Sequence, residues 1–281
     1  MRHFNVMPAP SSGRRLRGKA RFTELLGRDT IRFLKVNFLT LLGFAPFGAG
    51  LAVSILSSSI LLLIPCCLAG GVLAGVSLCG MYDCIFRSLR DAPGSVWGNY
   101  KKAWKQNFKS CILPGMFFSL IVGFYCFALA MFAWAETPQT AGTYAAYLTG
   151  LLVFSIIFTV LWPLITLFEQ KPADRIRNVI LFTAKYTWRV LGCAVLNLLY
   201  WAILALFLPW SLFLLPLTGF WFIFFLTSFL LFDPLNEAFG LEDAISESFP
   251  DQVPYYETDT QWAERRRAED AEERSLKGSG S

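Results

Sequence analysis

The chain has 281 residues, of which 55% are hydrophobic, 16% are aromatic and only 16% are charged. An average soluble domain carries about 25% charged residues, and a soluble chain this apolar would expose more hydrophobic surface than one domain tolerates. The composition therefore excludes an ordinary water-soluble protein and favours one that sits in lipid. The seven cysteines form no CxxC pair, which argues against zinc and redox motifs, and we interpret them as small apolar core residues.

Six hydrophobic blocks follow one another along the chain. Each is close to the ~20 residues that cross a ~30 Å hydrocarbon core as a helix. Lipid offers the backbone no hydrogen-bond partners, so helices are expected. The sequence predicts an all-α, polytopic membrane helix bundle with six transmembrane helices arranged as three hairpins. The predicted spans are Val36–Leu56, Ile60–Tyr82, Cys111–Ala135, Tyr144–Phe168, Val190–Leu208 and Trp210–Phe232.

The turns at 57–59 and 209–211 are very short, so one of those two pairs of blocks is alternatively a re-entrant or kinked helix. Proline and glycine favour kinks in helices. Pro46, with Gly43, Gly48 and Gly50 around it, therefore predicts that the first span is a broken helix. The GxxxG pattern of Gly71 and Gly75 predicts close helix approach on the second span, inside the bundle rather than in a dimer.

All 25 Lys and Arg residues fall in alternate connections: nine in 1–35, six in 83–110, five in 169–189 and five in 233–281. The other three connections, 57–59, 136–143 and 209–211, carry none. By the positive-inside rule this one-sided pattern predicts a multi-pass protein of the cell membrane with both termini in the cytoplasm. The predicted regions are a basic N-terminus (1–35), a six-span membrane domain (36–232) and an acidic, largely disordered cytoplasmic tail (233–281).

Aromatic residues and lysines alternate in residues 91–110, "DAPGSVWGNYKKAWKQNFKS". Such residues could stack on nucleic-acid bases, but on a helix the aromatic side chains share one face, as expected for an amphipathic helix in the headgroup layer. We therefore predict cytoplasmic elbow helices that contact anionic lipid headgroups, and no nucleic acid. The predicted membrane-interface anchors are Trp97, Tyr100, Lys101, Trp104, Lys105, Phe108, Lys185 and Trp188.

Three short segments share the form Lys-x-[Asn/Thr]-aromatic and each precedes a predicted hairpin: 35–38, 105–108 and 185–188. One interpretation is a threefold repeat of elbow helix plus hairpin. The alternative is that every cytoplasmic entry into a membrane favours a lysine and an aromatic anchor.

The segments "GMYDCIFRSLRD", "VWGNYKKAWKQNFKS" and "RIRNVILFTAKY" resemble the YesL family of bacterial integral membrane proteins over roughly residues 25–235. In that family a tyrosine near the end of the second span resembles Tyr82, an aromatic-rich segment resembles Lys105 to Lys109, and an asparagine before a short apolar helix resembles Asn178. The first hairpin departs from the family in being longer. Members have no assigned biochemistry and are often encoded near carbohydrate-uptake genes, so the resemblance implies an accessory link to sugar import.

Residues for known catalytic chemistry are scarce. The only histidine is His3, and the chain contains no HExxH, GxSxG or Walker-type motif. We therefore expect a non-enzymatic accessory or regulatory component, without cofactor or metal, that binds membrane lipid and a transporter or other membrane protein. The alternatives are a small-molecule channel or carrier and a lipid-modifying enzyme, which would use a polar site at the cytoplasmic boundary: Tyr82, Asp83, Asn107, Arg177 and Asn178. We also considered that the acidic tail folds back onto the basic elbows.

Overall fold

The computed structural model describes residues 15–91, 94–136 and 138–241, together with 263–264, 267–268 and 271. Six of the described helices are long and apolar enough to cross a membrane, so the prediction of an all-α polytopic helix bundle is confirmed. The principal elements are α1 (Gly18–Leu56), α2 (Ile60–Leu89), α3 (Val96–Trp134), α4 (Ala141–Leu167), α5 (Pro172–Lys185), α6 (Thr187–Leu206), a 3₁₀ turn (Trp210–Phe213) and α7 (Gly219–Phe239). Residues 242–262 and most of 263–281 lie outside the described residues, and so does the predicted fold-back of the tail.

The first two predicted elbows are not separate helices. They form the N-terminal parts of α1 and α3, which run without a break for 39 residues each, or about 58 Å at 1.5 Å per residue. Both helices continue through the predicted boundaries at Val36 and Cys111, and α3 also continues through Pro114. Helix α1 also passes through Pro46 without a break, so the predicted interruption of the first span is wrong.

The third elbow is a helix of its own, α5. Pro172 occupies its first turn, and the helix ends at Lys185. The Thr187 hydroxyl then donates to the carbonyl oxygens of Thr183 (2.9 Å) and Ala184 (3.0 Å), and Tyr186 leaves the helical conformation at φ −116° and ψ 35°. A side chain that competes for backbone acceptors commonly bends a helix at such a position, and this separates α5 from α6.

The sixth predicted span has the wrong boundaries. Residues 207–218 form turns around the short 3₁₀ segment, and α7 begins only at Gly219 and continues past Phe232 to Phe239. The predicted boundary between membrane domain and tail therefore falls inside α7. Hydropathy could not separate the apolar turn from the apolar helix, because neither contains a charged residue before Asp233.

The turn between α6 and α7, residues 207–218, lies beside the middle of α1 rather than near its C-terminal end. It contacts α1 near Asn37 and lines a groove with the first turn of α3. Asn37 is about twenty residues, or roughly 30 Å of helix, before the turn that joins α1 to α2. The tip of the third hairpin therefore lies far along the α1 axis from the α1–α2 turn. The charge pattern had predicted that these two turns lie at one membrane face.

Helices α1, α2 and α3 pack backbone against backbone at glycines. A Cβ atom added at Gly75 would lie 2.7 Å from Gly115 Cα, and one added at Gly71 would lie 2.7 Å from the Gly115 carbonyl oxygen. On the other side of α2, a Cβ at Gly70 would lie 2.5 Å from Phe47 Cα. The predicted internal packing of the GxxxG pattern is thus confirmed.

The C-terminal half of α2 is the centre of the bundle, since its residues from Ala74 to Leu89 are buried apart from Asp83. Aromatic rings surround it. Tyr82 stacks on Phe224 of α7 at 5.2 Å between ring centroids, and Phe224 in turn contacts Phe158 of α4 at 5.7 Å. Cys79 and Cys111 of α3 lie in the core as predicted, and a disulfide that the sequence did not predict joins them.

Candidate functional site

A buried carboxylate, Asp91, organises the charged end of the bundle. Asp91 lies two residues after Leu89, the last residue of α2, and adopts a left-handed backbone conformation (φ +60°). Its side chain is fully shielded from solvent. Three arginines of the preceding segment and α1 contact it: Arg15 at 2.9 Å, Arg21 at 2.5 Å and Arg28 at 2.5 Å. A buried carboxylate is stable only with such partners.

The same arginines complete the C-terminus of α2. Arg21 donates to the Leu89 carbonyl oxygen at 3.1 Å, Arg28 donates to that of Ser88 at 3.0 Å, and Arg15 donates to that of Arg90 at 3.3 Å. The last carbonyl groups of a helix have no partner within the helix and carry partial negative charge. Guanidinium groups from α1 and from the segment before it therefore satisfy both the helix end and the carboxylate that follows it.

A second buried carboxylate, Asp29, extends the network along α1. It accepts hydrogen bonds from the Ser88 hydroxyl and from Arg28 at 2.8 Å, and Arg32 lies 3.5 Å away. Glu24 pairs with Arg21 at 2.9 Å. We call the whole set the ionic cluster: Arg15, Arg21, Glu24, Arg28, Asp29, Arg32, Ser88 and Asp91.

Sequence reasoning treated the cluster's residues only as charges that mark a membrane boundary. A signal was nevertheless present, because Arg21 and Asp29 lie on the same helical stripe as the buried Leu25, Phe33 and Val36. Charged residues on an apolar stripe predict buried ion pairs. Asp91 could not have been chosen as their partner, since its position depends on the α1–α2 contact.

Asn37 of α1 connects the first hairpin to the third. Its amide nitrogen donates to the carbonyl oxygens of Leu215 (2.8 Å) and Pro216 (3.0 Å), and its amide oxygen accepts from the backbone N–H of Phe220 at 2.9 Å. Asn37 is completely buried. One side chain thus satisfies both the end of the apolar turn and the start of α7.

The three aligned Lys-x-[Asn/Thr]-aromatic segments do not share this role. Asn107 donates to the carbonyl oxygen of Ala103 on its own helix at 3.2 Å. Thr187, the first residue of α6, donates to Thr183 and Ala184 in the last turn of α5. The contacts of the aligned positions therefore give no support to the threefold repeat.

The predicted membrane anchors separate into two groups. Trp97, Phe108 and Trp188 are exposed on the bundle surface, as are the lysines Lys101, Lys105 and Lys185. Tyr100 is instead 96% buried, because its ring fills the space that Gly80 leaves on α2, and Trp104 packs partly beside it at 6.1 Å. These two rings join α3 to α2 rather than facing lipid.

The residues of the predicted polar site do not bond to one another. Tyr82 is buried against Phe224, and Asp83 pairs with Arg87 of its own helix at 2.6 Å. Arg177 is exposed and Asn178 is half-buried. In the described part of the chain, no hydrogen bond or ion pair links any two of Tyr82, Asp83, Asn107, Arg177 and Asn178.

Arg175, two residues before Arg177, is the buried cation of α5. One guanidinium nitrogen donates to the Gln170 carbonyl oxygen at 3.1 Å, and Nε has no partner among the described residues. Burial lowers the pKa of Arg175 below its usual range. Sequence reasoning chose its neighbours because charge alone does not show which arginine of an amphipathic helix faces inward.

Comparison of the chain with protein-family models, curated proteins and solved structures finds no match. The chemistry of the site is therefore inferred from its own geometry. In the ionic cluster the carboxylates and arginines neutralise one another and the end of α2, which makes the cluster a structural clamp between α1 and the α2–α3 connection.

Proposed function

We propose that the protein is a non-enzymatic accessory or regulatory component of a membrane assembly linked to carbohydrate uptake. The link to carbohydrate rests on the resemblance to the YesL family. The non-enzymatic role is supported by the ionic cluster, which is the principal group of charged side chains among the described residues. Its charged groups pair with one another and with the end of α2.

The packing of the first three helices supports the same proposal. Gly71 and Gly75 bring α2 against Gly115 of α3, and Gly70 brings α2 against Phe47 of α1. Backbones this close leave no passage between these helices. A carrier would need a polar cavity between hairpins, and the groove between α1, α3 and the turn is lined by apolar residues with one lysine.

A lipid-modifying enzyme remains the alternative from another class. It requires an acid or base and a binding group that converge on one substrate atom. The separate contacts of Tyr82, Asp83 and Asn107 offer no such convergence, so this arrangement favours the accessory role.

The proposal is tested by measuring sugar uptake with and without the protein. In the native host, deletion of the gene is expected to lower the initial rate of uptake of at least one labelled mono- or disaccharide, and the wild-type gene is expected to restore it. The protein purified alone in liposomes is expected to give no uptake of that sugar.

Flux of the sugar through liposomes that contain only this protein would replace the accessory role with a carrier. Unchanged uptake of every tested sugar in the deletion strain would remove the link to carbohydrate. The double variant Tyr82→Phe with Asp83→Asn serves as the enzymatic control, since it is expected to restore uptake as well as the wild type.

A further inference from the structure

A groove of about 760 Å³ lies where the three hairpins meet. Lys35 and Phe38 of α1 form one wall, Trp97 in the first turn of α3 forms the second, and Pro216 and Leu217 of the apolar turn form the third. Its volume is within the range of about 300–1,000 Å³ that is usual for small-molecule sites. The groove is open along the bundle surface rather than enclosed.

The walls are almost entirely apolar. Asn37 occupies the carbonyl oxygens of Leu215 and Pro216 from behind, so the turn presents side chains rather than bare backbone to the groove. Trp97 and Leu217 are both more than half exposed. In lipid, irregular backbone is tolerated only where its polar groups are already satisfied, and Asn37 meets this condition for two carbonyl oxygens of the turn. The exposed apolar side chains of the groove are therefore suited to contact with an acyl chain.

Lys35 is the one charged residue of the groove wall. It is exposed and makes no ion pair with a described residue, whereas its neighbour Arg32 faces Asp29 of the ionic cluster. No carboxylate lines the groove. A lone ammonium group at the edge of an apolar surface complements a ligand with one anionic end and one apolar end.

We propose that this groove binds one anionic phospholipid, with the phosphate at Lys35 and an acyl chain along Phe38, Leu217 and Trp97. A phospholipid phosphate lies in the headgroup layer, so the proposed site requires that Lys35 lies in that layer as well. The Trp97 ring is suited to the same layer, where tryptophan combines an apolar body with a polar N–H. The lipid contacts all three hairpins and so stabilises the turn against α1 and α3.

The site is tested by quenching of Trp97 fluorescence in vesicles of phosphatidylcholine that contain a small fraction of dibrominated phosphatidylglycerol. The full chain is used, and the signal of Trp97 is the difference between the wild type and Trp97→Phe. Matched vesicles contain the same fraction of dibrominated phosphatidylcholine. The anionic quencher is expected to act at a lower mole fraction than the neutral one.

Lys35→Gln is expected to weaken the apparent affinity for the anionic lipid about fivefold, the effect of one lysine near an anionic surface. Lys35→Arg is expected to retain it. Lys109→Gln, which removes an exposed lysine of α3 outside the groove, is the matched control and is expected to change the affinity less than about twofold.

Equal quenching by the anionic and the neutral lipid would overturn the proposal, because it would describe ordinary lipid around the bundle. Equal losses for Lys35→Gln and Lys109→Gln would also overturn it, since they would indicate a diffuse surface charge effect. These outcomes do not depend on sugar uptake, so the lipid site and the proposed accessory function fail independently.

Discussion

The first three helices pack backbone against backbone, whereas α7 and the turn before it are joined to them through aromatic rings and one asparagine. On the α1–α3 side, glycines bring the helix axes together and the ionic cluster fixes the end of α2. On the α6–α7 side, Phe33 stacks on Trp221 at 5.4 Å, and Asn37 bonds the turn.

This difference indicates which part of the molecule depends on its surroundings. In the α1–α3 unit the buried carboxylates pair with arginines of the same unit, and the helices contact one another at glycines. The turn of the third hairpin exposes large apolar side chains, among them Trp210 and Phe213, each about three-quarters exposed. We therefore expect changes in α1–α3 to act on global stability and changes at the turn to act locally.

The largest effect is expected at Asp91. Asp91→Asn keeps a residue that tolerates the left-handed backbone but removes the negative charge that Arg15, Arg21 and Arg28 share. Loss of one partner of a buried ion pair costs about 3–5 kcal/mol in the free energy of unfolding. Denaturant unfolding in detergent micelles measures it, and Glu136→Gln, at an exposed acid, is the control. Equal stability of the two variants would mean that the ionic cluster is not a clamp.

The glycine contact of α2 with α3 is expected to rank second. Gly75→Ala places a methyl group 2.7 Å from Gly115 Cα, and overpacking of this kind costs about 1–3 kcal/mol. Gly48→Ala on α1 is the matched control, because no atom lies within 4 Å of the added carbon, and alanine there favours the helix by up to about 1 kcal/mol. If Gly75→Ala is as stable as Gly48→Ala, the close α2–α3 packing is refuted.

A smaller, local effect is expected at Asn37. Asn37→Ala leaves the carbonyl oxygens of Leu215 and Pro216 and the N–H of Phe220 without their partner, at a cost of about 1–3 kcal/mol. Hydrogen exchange of residues 214–221 is expected to accelerate while exchange in α2 stays slow. Asn107→Ala, which loses only a bond within α3, should leave the turn unchanged. Uniform acceleration across the protein would contradict a local role.

The smallest effect is expected at the exposed pair of Lys185 and Glu237, 3.1 Å apart. Lys185→Gln is expected to leave the thermal midpoint unchanged, because exposed ion pairs often contribute nothing measurable. A decrease as large as that of Asn37→Ala would show that α5 and α7 are held together by this contact rather than by the Phe182 and Phe239 rings.

Hydropathy and charge predicted the helix ends well at the turn between α1 and α2. The predicted end of the first span at Leu56 and the start of the second at Ile60 agree with α1 and α2. The same reasoning missed the length of α1 and α3, because a helix does not need to end where its surroundings change from lipid to water.

The turn after α6 and the ionic cluster could not be predicted for a related reason. Residues 207–218 are as apolar as a span, and only Pro209 and Pro216 indicated a break. Hydropathy also counts Arg28 and Asp91 as separate polar residues, whereas their burial depends on a contact between segments 63 residues apart. Local patterns do not contain such pairings.

The position of the third hairpin is tested most directly by paired-cysteine cross-linking in vesicles. The double variant Phe38→Cys with Leu217→Cys places one cysteine on the α1 wall of the groove and one on the wall formed by the turn. The double variant Ser58→Cys with Leu217→Cys places one cysteine in the α1–α2 connection and one in the turn. We expect a linked peptide between positions 38 and 217, identified by mass spectrometry, and none between 58 and 217. A link between 58 and 217 without one between 38 and 217 would place the tips of both hairpins at one membrane face and contradict the staggered arrangement.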